Sequence, residues 1–223
     1  MTRRTAKGPR PTESNVFDTL RHDLARSLEL NTDAREPRWF RTLRLPFHFG
    51  TQAVIVHRFG RWAADLRLPG VRHALLLLYA VAKYLIQVTG GICIAHHTRI
   101  GKGLVVHTGC GVFVGPDRIG KNCSLQHGVV ISYAVKEIGD NVYFGPGAKV
   151  HGHIRIGSNV HIGANAVVAH TVPDDCTVMG NPARIIPKAI YRPGDGSPSA
   201  ARSGAASAAP WVPSPATREG RSA

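Results

Sequence analysis

Histidine is the residue type with the widest chemical range in this chain, which has 223 residues and 12 histidines. An imidazole titrates near neutral pH, so one histidine can act as a general base and several together can bind a metal ion. Four of them are spaced along one stretch of the chain: His151, His153, His161 and His170. A metal site needs ligands that converge on one point, and this spacing does not indicate convergence. We therefore expect no metal, and we examine which elements would position a histidine base.

The stretch from Ile94 to Pro173 repeats every six residues. A large apolar residue opens each hexad, a glycine often follows it, and a small or branched residue comes four places later. The opening residues are Ile94, Ile100, Val106 and Val112, then Ile119, Leu125 and Ile131, then Ile138, Phe144, Val150, Ile156, Ile162 and Val168. One extra residue enters before Ile119 and another before Ile138. A six-residue period of this length predicts a repeat architecture.

Each hexad is expected to form one short strand and one corner. Its opening residue would point into a narrow core, and three hexads would complete one triangular turn. Stacked turns pair their strands about 4.8 Å apart, and stacking supplies the stability that no single turn has. We therefore predict a mainly β fold, a parallel β-helix of about four turns within residues 91–187.

An all-α region is predicted over residues 14–90. Its first helix begins after Asn15, and its apolar face would hold Phe17, Leu20, Leu24 and Leu28. The second helix is predicted over residues 51–66 and the third over residues 71–88.

The third helix is apolar on all sides over residues 74–82. A membrane span needs about 20 apolar residues, and Lys83 interrupts this run. We therefore predict a helix that is buried or packed against other copies of the chain, and no transmembrane span.

Both ends of the chain and its charge narrow the choice of partners. Residues 1–13 form a basic arm and residues 188–223 a tail rich in Pro, Ala and Ser, and both are expected to be disordered. The formal charge of +14 favours anionic partners. Because no nucleic-acid recognition motif accompanies it, a polyanionic small molecule fits better than a nucleic acid. Four cysteines without a CxxC pair, and a polar start, indicate a reduced cytoplasmic protein.

Several segments carry a family resemblance. These are HFGTQAVIVHRFGRWAAD from His48, then GICI, TRIGKG, IGDNVYFGPGAKVHGHIRIGSNVHIGANAVV and GNPARII. Over about Val16 to Pro187 the chain resembles the serine acetyltransferases, which are hexapeptide-repeat acyltransferases. The resemblance implies a left-handed β-helix, acetyl-CoA as donor, transfer to a hydroxyl group, and L-serine as the leading acceptor. It also implies a homotrimer or a dimer of trimers.

The resemblance also implies where the base lies. The family places it at a β-helix corner, at a subunit interface, in a D-H-x-T-G type motif. His107, which is followed by Thr-Gly, is the best match here. A gap-free register would put the base on Thr108 instead, and His127 would hold the same corner slot one turn on. Both histidines are therefore candidate bases, expected within roughly one or two strand spacings of each other.

The donor site follows from the same resemblance. In the family the pantetheine arm lies in a groove between neighbouring β-helices and contacts corner backbone. The matching positions here are Gly145, Pro146, Gly163 and Ala164. The turn that ends at Arg184 is expected to lead out of the β-helix, where Arg184 and Lys188 would meet phosphates.

Two alternatives to serine acetylation stay open. The acceptor can instead be a sugar hydroxyl of a surface polysaccharide. The chain can also be a non-catalytic homologue, because the histidine is shifted and Val106 replaces the acidic neighbour of the family's base.

Overall fold

The structure is a computed structural model that describes residues 16–31, 39, 42–43, 45–107 and 110–188. The predicted basic arm, nearly all of the predicted tail, and Thr108 and Gly109 lie outside the described residues.

Several helices precede the β-helix in the described part of the chain, and three of them are long. They are α1 (Val16–Asn31), α2 (Phe49–Ala64) and α3 (Pro69–Gly90), with a 3₁₀ turn at Leu45–Phe47 between α1 and α2. Both α2 and α3 begin two residues before the predicted positions. Pro69 can occupy the first turn of α3 because the missing N–H has no helical partner there. Gly91, at φ 62°, ends α3 in the left-handed conformation and starts the β-helix.

The predicted inner face of α1 is only partly right: Leu20 and Leu24 line a small cavity together with residues of α2 and of the β-helix. The residues that are buried along this helix are polar, namely Thr19, Asp23 and Ser27, whereas Phe17 is largely exposed. Leu20, Leu24 and Leu28 are only half-buried. Apolar periodicity did not reveal this because α1 docks through hydrogen bonds.

A buried ion pair ties α1 and α2 to the β-helix. The Asp23 carboxylate accepts hydrogen bonds from Nε of Arg58 at 3.0 Å and from the backbone N–H groups of Gly103 and Leu104. The Arg58 guanidinium also donates to the carbonyl oxygens of Ile100 and Gly101, each at 2.6 Å. Because the partners satisfy both charges, the pair can be buried at this junction. We call these residues the Asp23–Arg58 clamp.

Fifteen short strands follow within the described residues up to 188. They are β1 Ile92–Ile94, β2 Arg99–Ile100, β3 Val105–Val106, β4 Val112–Val114, β5 Arg118–Ile119, β6 Ser124–Leu125, β7 Val130–Ile131, β8 Glu137–Ile138, β9 Tyr143–Phe144, β10 Lys149–Val150, β11 Arg155–Ile156, β12 His161–Ile162, β13 Val167–Val168, β14 Cys176–Met179 and β15 Arg184–Pro187. Every third strand pairs in parallel, which gives sheets in the orders β1-β4-β7-β10-β13, β2-β5-β8-β11 and β3-β6-β9-β12-β14. β15 adds to the last sheet as an antiparallel neighbour of β14. The prediction of a left-handed parallel β-helix of about four turns is confirmed.

The predicted register is right except at one place. Val112 does not continue the series of Ile94, Ile100 and Val106, because it pairs with Ile92. Val114 instead pairs with Ile94 on one side and Ile131 on the other. The segment after Val106 therefore contains two extra residues, and the next corner, before Ile119, is one residue short. The extra residue between Ile131 and Ile138 is confirmed.

The third helix has one buried and one exposed side. Tyr79 and Ile86 are buried, and they line a small cavity together with residues of α2 and β1. The opposite side of α3 is apolar and exposed, so within a single chain the predicted burial is only half correct. By length and composition Gly70–Gly90 meets the criterion for a membrane-crossing helix.

Candidate active site

One corner of the β-helix holds most of the predicted site residues. It joins the sheet that contains β3 to the sheet that contains β1, and we call it the site corner. On successive turns it consists of residues 107–111, 126–128, 145–147 and 163–165. The first of these segments has two more residues than the others, which follows from the register of Val106 and Val114.

Backbone hydrogen bonds define which residues stack at the site corner. The N–H of Gly128 donates to the Cys110 carbonyl at 2.8 Å, and the N–H of Gly147 donates to the His127 carbonyl at 2.9 Å. The N–H of Asn165 donates to the Pro146 carbonyl at 2.8 Å. One column therefore runs through Cys110, His127, Pro146 and Ala164. A second column, set by the strand pairing, runs through His107, Gln126, Gly145 and Gly163.

Thr108, whose corner slot His127 was expected to share one turn on, lies outside the described residues. His127 itself stacks on Cys110. His107 and His127 nevertheless lie on adjacent turns of the same corner. His127 is exposed, whereas His107 is half-buried. The backbone N–H of His107 donates to the Leu125 carbonyl at 2.8 Å.

The surroundings of His107 favour the neutral imidazole. Burial lowers the pKa of His107 below its ordinary value, and the nearby His48 and Arg26 lower it further. A neutral imidazole near pH 7 can accept a proton from a hydroxyl group, which is the state that a general base needs.

Two residues near His107, His48 and Arg26, were not predicted from the sequence. His48 immediately precedes α2, and within the described part of the chain its buried Nδ1 has no hydrogen-bond partner. Burial lowers the pKa of His48. Arg26 of α1 donates to the carbonyl oxygens of Gly103 and Cys123.

The sequence did contain one signal that the start of α2, with His48, lies close to His107. A Cβ atom at Gly50 would overlap the carbonyl oxygen of Val106, so the start of α2 packs directly on the backbone next to His107. The His-Phe-Gly sequence at 48–50 combines a polar side chain with this close contact.

The predicted donor-binding residues lie on later turns of the site corner. Pro146 is half-buried and Ala164 is exposed on its outer surface. Gly145 has a structural reason to be glycine, because a Cβ atom there would lie 2.7 Å from the backbone nitrogen of Ala164. A Cβ atom at Gly163 would lie 3.1 Å from Cγ of Met179.

The segment around Arg184 does not lead out of the β-helix as expected. It forms a hairpin in which β15 returns along β14, so that Arg184 pairs with Met179. Met179 in turn follows Gly163 in the second column. Arg184 therefore lies at the far end of that column, about 24 Å from the His107 rung at about 4.8 Å per rung. Lys188 lies at the other end of the hairpin, where its backbone N–H donates to the backbone carbonyl of Asp175.

The four histidines spaced along the later turns lie at partly or fully exposed positions. His151, His153 and His170 are exposed, and His161 packs edge-on against Tyr143 with ring centroids 4.7 Å apart. Among the residues that the structure describes, no three His, Cys, Asp or Glu side chains are grouped so that they could hold a metal ion.

The fold and this corner define a class of protein. Residues 136–170 match the family model described as bacterial transferase hexapeptide (six repeats). The hexad β-helix and this match place the chain among the hexapeptide-repeat proteins.

Comparison with known proteins then narrows the class. The chain is 31% identical to the serine acetyltransferase of Neisseria gonorrhoeae, solved in complex with serine, with a TM-score of 0.61 over 76% of this chain and 68% of that one. It is 26% identical to the serine acetyltransferase of Brucella abortus strain S19, solved in complex with coenzyme A, with a TM-score of 0.61 over 77% and 67% of the chains. The chain belongs to the serine acetyltransferase family.

A curated relative agrees with this assignment. The serine acetyltransferase of Synechococcus elongatus is 38% identical over 153 residues, which is 65% of this chain and 58% of that protein. The chain thus spans little more than half the length of the curated relatives it matches.

Proposed function

We propose that this protein is an acetyl-CoA-dependent O-acetyltransferase with L-serine as its acceptor, making O-acetyl-L-serine for cysteine biosynthesis. The observation that carries the proposal is the column of the site corner. It begins at His107, whose surroundings keep it neutral, and ends at the cation Arg184. Relatives of the same fold, solved with serine and with coenzyme A, support this choice of acceptor and donor.

His107 is the general base of the proposed reaction. Its imidazole takes the proton of the serine hydroxyl while the serine oxygen attacks the carbonyl carbon of the thioester. The C–S bond then breaks, and His107 returns the proton to the departing thiolate. The step balances without a covalent enzyme intermediate, and a positioned base typically contributes about 10²- to 10⁴-fold to the rate.

The donor lies along the outside of the site corner in this proposal. Pro146 and Ala164 offer small, partly exposed surfaces for the pantetheine arm, with Gly145 and Gly163 in the neighbouring column. Arg184 at the end of that column would pair with a phosphate group, since a guanidinium donates two parallel hydrogen bonds to phosphate oxygens. The resulting direction places the thioester near His107 and the nucleotide near β15.

His127 has an assisting role in the proposal. It is exposed one turn from His107 and lies in the same column as Pro146 and Ala164, along the path proposed for the donor. A contact with the donor or acceptor through His127 contributes less than proton removal by His107.

The assembly and location complete the proposal. We propose a homotrimer, alone or paired into a dimer of trimers, in which residues 91–187 of neighbouring chains form the walls of the groove and residues 14–90 pack as a helical region. We also propose a cytoplasmic location, supported by the four cysteines, which are all free thiols.

An acceptor panel tests the function. Purified protein is incubated with acetyl-CoA and one acceptor at a time: L-serine, L-threonine, L-homoserine, or a hexose. Free thiol release and product mass are then measured. Serine-dependent thiol release with formation of O-acetylserine is expected. Turnover with the hexose alone would reassign the acceptor to a sugar, and no turnover with any acceptor despite normal acetyl-CoA binding would indicate a non-catalytic homologue.

A further inference from the structure

A small cavity lies at the junction of α2, α3 and β1, where the two helices cover the first turn of the β-helix. His57 of α2 lines it together with Tyr79 and Lys83 of α3, and its other walls are apolar side chains of α2, α3 and β1. It is partly open to solvent, and its enclosed part has room for about one group of the size of a water molecule. We call it the cap cavity.

His57 is a buried polar group in the wall of the cap cavity. It is only 4% exposed, and within the described residues neither nitrogen of its ring has a hydrogen-bond partner. The backbone of Thr98 comes near the ring without forming a hydrogen bond. The large majority of buried polar side chains in native proteins are hydrogen-bonded to protein, ordered water or an ion. His57 therefore indicates a bound group in the cap cavity.

Lys83 brings an uncompensated positive charge to the same cavity. It is half-buried, and among the described residues no carboxylate lies within ion-pair distance of its ammonium group. Arg61 and His96 are close enough to act electrostatically on the His57 ring, and Lys83 acts in the same way on His96. Removing a charge from water is unfavourable unless an opposite charge replaces part of its hydration. The charges around the cap cavity thus favour an anion over a water molecule.

The donors in the cap cavity suit a guest that only accepts hydrogen bonds. Burial, followed by the neighbouring cations, lowers the pKa of His57 to about 3, so its neutral ring offers one N–H. Tyr79 adds a hydroxyl group and Lys83 an ammonium group. The other walls are apolar, so the further oxygens of a phosphate or sulfate would find no side-chain donors there. A monatomic anion matches both the room and the donors.

We propose that the cap cavity binds a monatomic anion, chloride. The ammonium group of Lys83 supplies the opposite charge, and the imidazole N–H of His57 and the hydroxyl of Tyr79 donate hydrogen bonds to the ion. The bound ion neutralises a cationic junction and links the inner sides of α2 and α3 at the first turn of the β-helix. This inference is independent of the acetyl transfer proposed above, because none of these three residues belongs to the site corner.

Chloride should therefore stabilise the folded chain. An ion that binds only the folded state shifts the folding equilibrium toward it. At chloride concentrations well above the dissociation constant, the melting temperature should rise by about 3 °C or more. General screening by salt depends on ionic strength alone, so chloride is compared with gluconate at constant ionic strength. The gluconate anion is too large for the cap cavity.

The exchange of gluconate for chloride is carried out on the full chain and on three variants. Lys83→Met removes the charge and keeps an unbranched apolar side chain in the wall. Tyr79→Phe removes only a hydroxyl group. Lys121→Met, at an exposed position of another corner, is the matched control for the loss of a lysine. Circular dichroism gives the melting temperature, and the line width of the chlorine NMR signal reports bound chloride directly.

The native chain and Lys121→Met should show both the rise in melting temperature and a broadened chloride signal. Lys83→Met should lose both, and Tyr79→Phe should bind chloride about two- to tenfold more weakly. Equal melting temperatures of the native chain in the two salts would overturn the proposal, as would a chloride response of Lys83→Met that equals the control. A response of the native chain to phosphate but not to chloride would overturn it as well. If Lys83→Met does not fold, the native line width and the titration of Tyr79→Phe decide.

Discussion

The N–H of Gly128 donates a 2.8 Å hydrogen bond to the carbonyl of Cys110, so His127 stacks on Cys110 at the site corner. The first segment of the site corner is two residues longer than the later segments, as the pairing of Val106 and Val114 requires. The first residue of that longer segment, His107, remains aligned with Gln126 and Gly145 of the following turns. The base candidate and the donor-binding candidates therefore share one corner of the β-helix.

The first prediction concerns the donor groove. Ala164→Trp should weaken acetyl-CoA binding at least tenfold, because the indole would occupy the outer surface of the site corner where Ala164 is exposed. The inward-facing Ile162 is untouched, so folding should be unchanged. Isothermal titration with acetyl-CoA measures the affinity.

Lys121→Trp is the control for this substitution, because Lys121 is exposed at a different corner of the stack. It should bind acetyl-CoA normally. Normal binding by a folded Ala164→Trp protein would mean that the donor lies elsewhere.

The second prediction concerns the Asp23–Arg58 clamp. Asp23→Asn removes the negative charge and leaves Arg58, only 8% exposed, without its counter-ion. Breaking a buried pair in this way costs about 3–5 kcal/mol of the free energy of unfolding. Urea denaturation measures the loss, with Asp18→Asn, at an exposed position of the same helix, as control. A change below about 1 kcal/mol, as is usual for an exposed ion pair, would show that the clamp is not a buried pair in solution.

The third prediction concerns acid stability. Burial, followed by the charges of Arg58, Arg61 and His96, lowers the pKa of His57 to about 3. Between pH 6.5 and about 3 the unfolded chain therefore binds a proton at His57 that the folded chain does not. As the pH is lowered through this window, the free energy of unfolding falls by about 1.4 kcal/mol per pH unit. Above pH 6.5, His57 contributes no pH dependence.

His57→Phe, which keeps the ring volume, should flatten the loss of stability between pH 6 and pH 4. His151→Gln, at an exposed position, should leave the pH dependence as it is. Equal slopes for His57→Phe and the native chain would show that His57 is solvated or protonated in the folded protein.

The sequence predicted the β-helix well because each hexad carries its own signal, a large apolar residue followed by a tight corner. It failed at Val112. Both Val112 and Val114 fit the hexad pattern by residue type, and only the strand pairing shows that Val114 belongs to the core series. It also missed the buried polar residues of α1, since helical periodicity reports apolar burial whereas Asp23 docks through hydrogen bonds. His48 was missed for a related reason: its approach to His107 depends on how α2 packs, and the glycine of His-Phe-Gly at 48–50 was the single local sign of that packing.

The fourth prediction concerns the pH dependence of turnover. Because the pKa of His107 is lowered, the acid limb of kcat/KM should lie below pH 6.5. His48→Gln removes an imidazole whose protonated form lowers the pKa of His107, so the limb should move toward higher pH while the protein stays folded. A profile that does not move would show that His48 does not act on the titrating group.

The most direct test of the account compares His107→Ala with His127→Ala in the acetylation of L-serine. His107 as general base predicts a fall in kcat of about 10²- to 10⁴-fold for His107→Ala, with unchanged folding and acetyl-CoA binding, and a smaller fall for His127→Ala. Loss of turnover in His127→Ala with retention in His107→Ala would contradict the account and make His127 the base. Full activity in both variants would exclude both histidines from proton transfer.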